Sequence, residues 1–105
     1  MEYTLHKHNL ELTDADFNLL DKKLKRLQKH LKPPFNVNIG LRRDTHHKNG
    51  EIMTCTINIS HGKKTYHAER TGETVQDCLD EVIHALTQEL ERDHDRAKDH
   101  HDHNE

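Results

Sequence analysis

The chain contains no tryptophan, two tyrosines and two phenylalanines. Proteins that read single-stranded bases stack them on aromatic rings, so base-by-base recognition is not expected. Only two cysteines occur, Cys55 and Cys78, with neither a C-x-x-C pair nor zinc-finger spacing. Buried, reduced thiols of a cytoplasmic protein are the expectation. No apolar run approaches the roughly 20 residues that a bilayer requires, so no membrane partner is expected. The start, MEYTLHKHNLEL, has no cationic segment followed by an apolar block and does not read as a secretion signal. Nucleophile motifs, phosphate loops and paired-carboxylate constellations are missing too, so neither enzymatic activity nor a cofactor is expected.

What is present is charge and a thin apolar pattern. Hydrophobic residues make up 30% of the 105 and charged residues 33%. A chain of this length fits one domain, and so little apolar material suits two layers, a small sheet under helices. The net charge of −3 conceals a division. Residues 14–34 carry six basic and three acidic groups, residues 35–72 again six and three, and residues 73–105 three and eleven. A basic body joined to an acidic end concerns partners more than fold.

The apolar period changes in a readable order. Tyr3 and Leu5 alternate with polar residues and Leu10 and Leu12 resume the pattern, predicting a first strand and its extension. Phe17, Leu20, Leu24, Leu27 and Leu31 then recur at helical spacing, with Thr13 or Asp14 as cap and Pro33-Pro34 as the stop. "FNVNIGLRR" alternates strictly, "DTHHKNG" reads as a polar loop with an Asn49-Gly50 turn, and "IMTCTINIS" alternates again. "KKTYHAER" is a weaker strand, and Val75, Leu79, Val82, Ile83, Leu86 and Leu90 mark a second helix capped by Thr74. The predicted fold is therefore α+β: a β-α-β-β-β-α two-layer sandwich, a four-stranded mixed sheet with both helices on one face. The first two strands should be parallel and the last three an antiparallel meander. We place the domain at residues 1–94 and expect 95–105 to be a disordered Asp/His-rich tail.

With the first helix turned stripe-inward, Lys22, Lys23, Lys25, Arg26 and Lys29 fall on its outer side and flanks. Arg42, Arg43, Lys63 and Lys64 can extend the positive surface. A solvated helix normally pairs acid with base at i, i+4, yet residues 22–32 contain no acid. Unpaired positive charge of this kind suits a phosphate backbone, and without stacking residues the fitting partner is folded, double-helical RNA.

At this point the whole chain resembles a family. The element order, "LELTDA" at 10–15, "KLKRL" at 23–27, "AER" at 68–70 and the Val75…Leu79-Asp80 helix start resemble the ribosome hibernation-promoting factors. That family includes the ribosome-associated inhibitor, factor Y, and has also been labelled sigma-54 modulation proteins. The resemblance spans roughly residues 2–95. It implies a fold similar to double-stranded-RNA-binding domains, a place on rRNA of the small ribosomal subunit near the decoding region, and the silencing of idle ribosomes. DNA is not an implied partner, and a monomer off the ribosome is expected. The family's basic positions on helix 1 map onto Lys23 and Arg26.

The second helix departs from the pattern. Thr74-Val75-Gln76-Asp77-Cys78-Leu79-Asp80 stands where the family has Asp-Met-Tyr-Ala-Ala-Ile-Asp, and Ala85, Gln88 and Glu91 stand where it has Lys or Arg. Asp16 replaces an apolar residue, with Phe17 expected to take over its packing. An adaptor of the same fold, meeting a protein through its acidic second helix, is therefore the alternative reading.

Twelve histidines complete the inventory. His6 and His8 share a strand face, His46 and His47 are adjacent, and "DHHDHNE" closes the chain, but no spacing fixes ligands on separate elements, so no metal site is expected. Protonation near pH 6 should strengthen RNA binding.

Overall fold

Each change of period becomes an element in the computed structural model, which describes residues 3–47 and 50–103. The order is β1 (Thr4–His8), α1 (Asp14–Gln28), β2 (Asn36–His47), β3 (Gly50–His61), β4 (Lys64–Gly72) and α2 (Val75–His103). Strand order in the sheet is β1-β2-β3-β4. β1 pairs in parallel with β2, Leu5 beside Ile39, and β2-β3-β4 form an antiparallel meander in which Ile57 stands between Ile39 and Ala68. The alternation in β2 buries Val37, Ile39 and Leu41, and β3 adds Met53, Cys55, Ile57 and Ile59. Leu20, Leu24, Leu27 and Leu31 from the first helical segment close over them with Leu79, Val82, Leu86 and Leu90 of α2. Both helices thus cover one sheet face, and the other presents Asn36, Asn38, Arg42, Ser60, His67 and Glu69 to solvent. Cys55 and Cys78 are fully buried and unpaired by a disulfide. The neighbouring Cys78 thiol and burial push the Cys55 thiol up, keeping it protonated. No described helix is long and apolar enough to cross a membrane.

Four expectations are corrected. β1 does not extend past His8: Asn9 takes a left-handed conformation (φ 61°), and Leu10 enters the core from a turn. α1 ends at Gln28, four residues short of Lys32, and leaves through tightened turns, His30 N–H to Leu27 O at 2.9 Å and Leu31 N–H to Gln28 O at 3.1 Å. Those turns still bury Leu31. Asp16, half-buried, accepts the Thr13 N–H at 3.0 Å while its own N–H donates to Thr13 Oγ1 at 3.1 Å, a reciprocal cap. It is there for the helix end, and Phe17 is not among the partly buried side chains packed on the core. Finally, Asp44–His47 belong to β2, whose ladder with β3 continues to the His47–Gly50 pair beyond a register shift. Asn49 lies outside the described residues.

α2 is also longer than expected. Its helical backbone continues through 95–103, where composition suggested disorder. The side chains of that run, and of His46 and His47, lie outside those described.

Tyr66 of β4 donates its hydroxyl proton to Asp93 Oδ2 of α2 at 2.8 Å. Burial and that carboxylate push the Tyr66 hydroxyl up to about 12. Its folded value lies above the unfolded one, about 10, so the neutral ring's contribution is complete below pH ~10 and disappears as pH rises through ~12. Tyr66→Phe should cost about 1 kcal/mol near neutral pH. In urea titrations the gap between the two proteins should narrow between pH about 10 and about 12; a constant gap would mean that the hydroxyl bond contributes nothing.

Candidate nucleic-acid interface

The leucine stripe fixes the rotation of α1, and the rotation decides where its charges go. Lys22, Lys25, Arg26 and Lys29 are exposed, whereas Lys23 sits on the flank facing α2 and is only 16% exposed. α2 lies alongside α1. Between them runs an open groove lined by Lys23, Arg26, Lys29 and His30 on one bank and Asp80, Ile83, His84 and Thr87 on the other.

His30 also lines a second basin, at the β3–β4 end of the molecule. There Lys32, His61, Lys63 and Lys64 face Asp93 and His94 in the second half of α2. His61 Nε2 donates to the Lys32 carbonyl at 2.8 Å, and Lys64 Nζ lies 3.4 Å from Asp93 Oδ2. Groove and basin share His30, and together they make a trough lined in one part by Lys23, Arg26 and Lys29 and in the other by Lys63 and Lys64. Lys22 and Lys25 flank it on the outer side of α1.

Arg42 and Arg43 do not join it. Arg42 has the parity of Asn36 and Asn38, so it projects from the sheet face opposite the helices, beside His6, His8 and Thr54. Arg43 is half-buried at the corner between β1 and α1, near Lys7, Asn9 and Glu11. The sequence reading missed Lys32, Asp80, His30, His61, His84 and His94. Their signal was available in part: His30 follows Lys23 and Arg26 at helical intervals, and Asp80, His84 and Thr87 repeat the spacing on α2.

The trough can hold a polyanion by charge and hydrogen bonding. Ammonium and guanidinium groups spaced along a helix match successive phosphates, and such contacts position a duplex without reading its bases. Among the described residues no group of three or more His, Cys, Asp or Glu is placed to hold a metal ion.

The model of the family described as sigma 54 modulation protein / S30EA ribosomal protein matches residues 3–98. The fold is similar to the N-terminal domain of protein Y from Thermus thermophilus, with a TM-score of 0.71 at 19% identity, over 88% of this chain and 98% of that one. It is likewise similar to a ribosomal subunit interface protein from Coxiella burnetii, with a TM-score of 0.70 at 18% identity, over 88% and 96%. No curated protein matches the chain.

At the root of the groove Lys23 Nζ stands 2.6 Å from Asp80 Oδ1, an oxygen shielded from water. The approach lies off a hydrogen-bond line, so the attraction is mainly coulombic. Asp80 is 40% exposed as a side chain, which screens it and keeps the pair modest. Lys23→Ala leaves that shielded oxygen without its cation and should destabilise by about 1–2 kcal/mol. Lys23→Ala with Asp80→Ala should cost less than the two singles added, by about 0.5–1 kcal/mol. Strict additivity in chemical denaturation would mean that the bridge does not form in solution.

Proposed function

The chain belongs to the sigma 54 modulation protein / S30EA ribosomal protein family, and on that premise we propose that it is a ribosome-binding translation inhibitor. In this reading it is a hibernation factor that docks on rRNA of the small subunit, occupies the decoding region and keeps idle ribosomes inactive. It acts in the cytoplasm, arrives as a monomer and uses neither DNA nor a cofactor. Inhibition by occupation requires no reacting group, only a surface that stays in place.

The observation that carries the reading is the exposed row Lys22, Lys25, Arg26 and Lys29 in a segment, 22–32, without a single acid. Like charges at i, i+3 and i, i+4 repel by about 0.2–0.5 kcal/mol per pair, a cost that the dipole at the C-terminal end of α1 offsets in part for Lys25 and Arg26. A phosphate backbone turns that cost into binding energy by releasing counterions. The name of the Coxiella protein, a ribosomal subunit interface protein, agrees with this partner. Lys63 and Lys64 extend the grip from the end basin, and Lys23 contributes less because Asp80 engages it. Arg42 and Arg43, on other surfaces, could touch only separate RNA segments.

A second reading has an observation of its own. Between Val75 and Glu91 α2 has no Lys or Arg, and Asp77, Glu81, Glu89 and Glu91 are exposed. That face repels phosphate and fits a basic protein, as an adaptor of the same fold would require.

Co-sedimentation with vacant bacterial ribosomes separates the two. The chain should pellet with the small subunit at low salt. If the four α1 cations each neutralise one phosphate, log K should fall against log salt with a slope of about −3 to −4. Lys22→Glu/Arg26→Glu/Lys29→Glu should abolish pelleting, while Asp77→Lys/Glu81→Lys/Glu89→Lys should not weaken it. Binding that survives the first reversal, or is lost only in the second, would transfer the function to α2.

A further inference from the structure

Histidine is concentrated along the trough. Of the twelve in the chain, His30 and His84 line the groove between the helices, and His61 and His94 line the end basin with His30. We propose that these four histidines belong to the phosphate-binding surface itself, and that RNA binding there takes up protons. This rests on the RNA-facing role proposed above.

The groups facing the rings set the charge balance. From α1 and the turn after it come Lys23, Arg26, Lys29 and Lys32; from the β3–β4 turn come Lys63 and Lys64. β4 contributes Arg70 beside His84, and α2 contributes the carboxylates Asp80, Glu81, Glu91 and Asp93. Seven cations against four carboxylates leave a fixed charge of +3, which four protonated histidines would raise to +7. The carboxylates are largely engaged: Asp80 by Lys23, Asp93 by Tyr66 and Lys64, and Glu91 at 4.0 Å from His30 Nε2. Tyr66, held neutral to about 12, adds no charge in the range where histidine titrates.

A phosphate strand laid in the trough stands opposite these rings as an acceptor and a counter-charge, which favours their charged form in the complex. By linkage, whatever favours the proton in the complex favours the complex at lower pH. His61 illustrates the geometry. A carbonyl can only accept, so Nε2 carries the proton donated to Lys32 O, and the proton gained on binding goes to Nδ1 without breaking that bond.

The experiment is isothermal titration of vacant 30S subunits with the full chain, at constant ionic strength, in two buffers of different ionisation enthalpy. The buffer difference counts the protons. We expect net uptake of about one to three protons near pH 6.5, and affinity rising about tenfold or more between pH 7.5 and 6.0. His30→Gln/His61→Gln/His84→Gln/His94→Gln should lose the uptake and flatten the pH profile. His30→Gln/His84→Gln, which removes no internal hydrogen bond described here, should lose about half of it and serves if the quadruple variant does not fold. His6→Gln/His8→Gln, on the opposite sheet face, should behave like the parent. Salt-dependent binding without proton uptake would overturn the histidine proposal and leave the ribosomal reading standing, as would uptake unchanged in the histidine variants. Absence of binding at every pH and salt concentration would overturn both.

Discussion

The constraint on which everything else depends is that one sheet face and two helices must bury the same small set of apolar side chains. The sheet offers Val37, Ile39, Leu41, Met53, Cys55, Ile57 and Ile59 on a single face, and on the other, among the described strand residues, only Ile52 of β3 is a large apolar side chain. α1 can cover that face only with Leu20, Leu24 and Leu27 inward, and α2 only with Leu79, Val82 and Leu86 inward. At 100° per residue this choice leaves no freedom for the remaining side chains. Lys22, Lys25, Arg26 and Lys29 are exposed because the leucines between them are not.

The same constraint forces the two charge signs together. Placed side by side on one face, the helices must share a boundary, and a basic helix next to an acidic one forms a groove with unlike banks. Lys23 and Asp80 meet at its floor. That pair holds the helices in register, but it also withdraws one of the two α1 cations that the family pattern marks for RNA. In the proposed reading the binding surface is left to the residues one turn out, Arg26 and Lys29, and to the cations beyond the end of α1.

Most of the fold was legible because it was written in periods of 2 and 3.6. The strand over 36–41, the parallel β1–β2 pair implied by an intervening helix, the meander and the Thr74 cap all follow from spacing. The failures fall where backbone bonding continues without an apolar pattern. Asp44–His47 pair with β3 although they carry no hydrophobic alternation, and α1 stops at Gln28 while its stripe runs on to Leu31 through tighter turns. Asp16 looked like a lost core residue because position alone cannot distinguish packing from capping. For the site, the cations of α1 were visible and their neighbours were not. That Lys63 and Lys64 meet α1 through His30, and that Arg42 does not, depends on where a β-turn lies relative to a helix end, which periodicity within single elements does not encode.

The comparison with known folds makes the separation of the two patterns concrete. At 18–19% identity the chain keeps the architecture of its structural neighbours over nearly nine tenths of its length. Such retention needs only the buried positions to stay apolar and the turns to stay polar, since cores tolerate exchange of one hydrophobic residue for another of similar volume. The outer faces of α1 and α2 lie outside that requirement and can change sign without touching the core. The likeness of fold therefore says little about what the surface meets. What favours a phosphate partner is the row of exposed cations on α1 in a stretch without an acid, while on α2 acids occupy the equivalent outer positions. A helix under no demand but solubility would mix the signs. The segments that face each other, 22–32 with no acid and 75–91 with no Lys or Arg, are each of one sign, and in the proposed reading α1 holds the ligand that α2 confines to its bank.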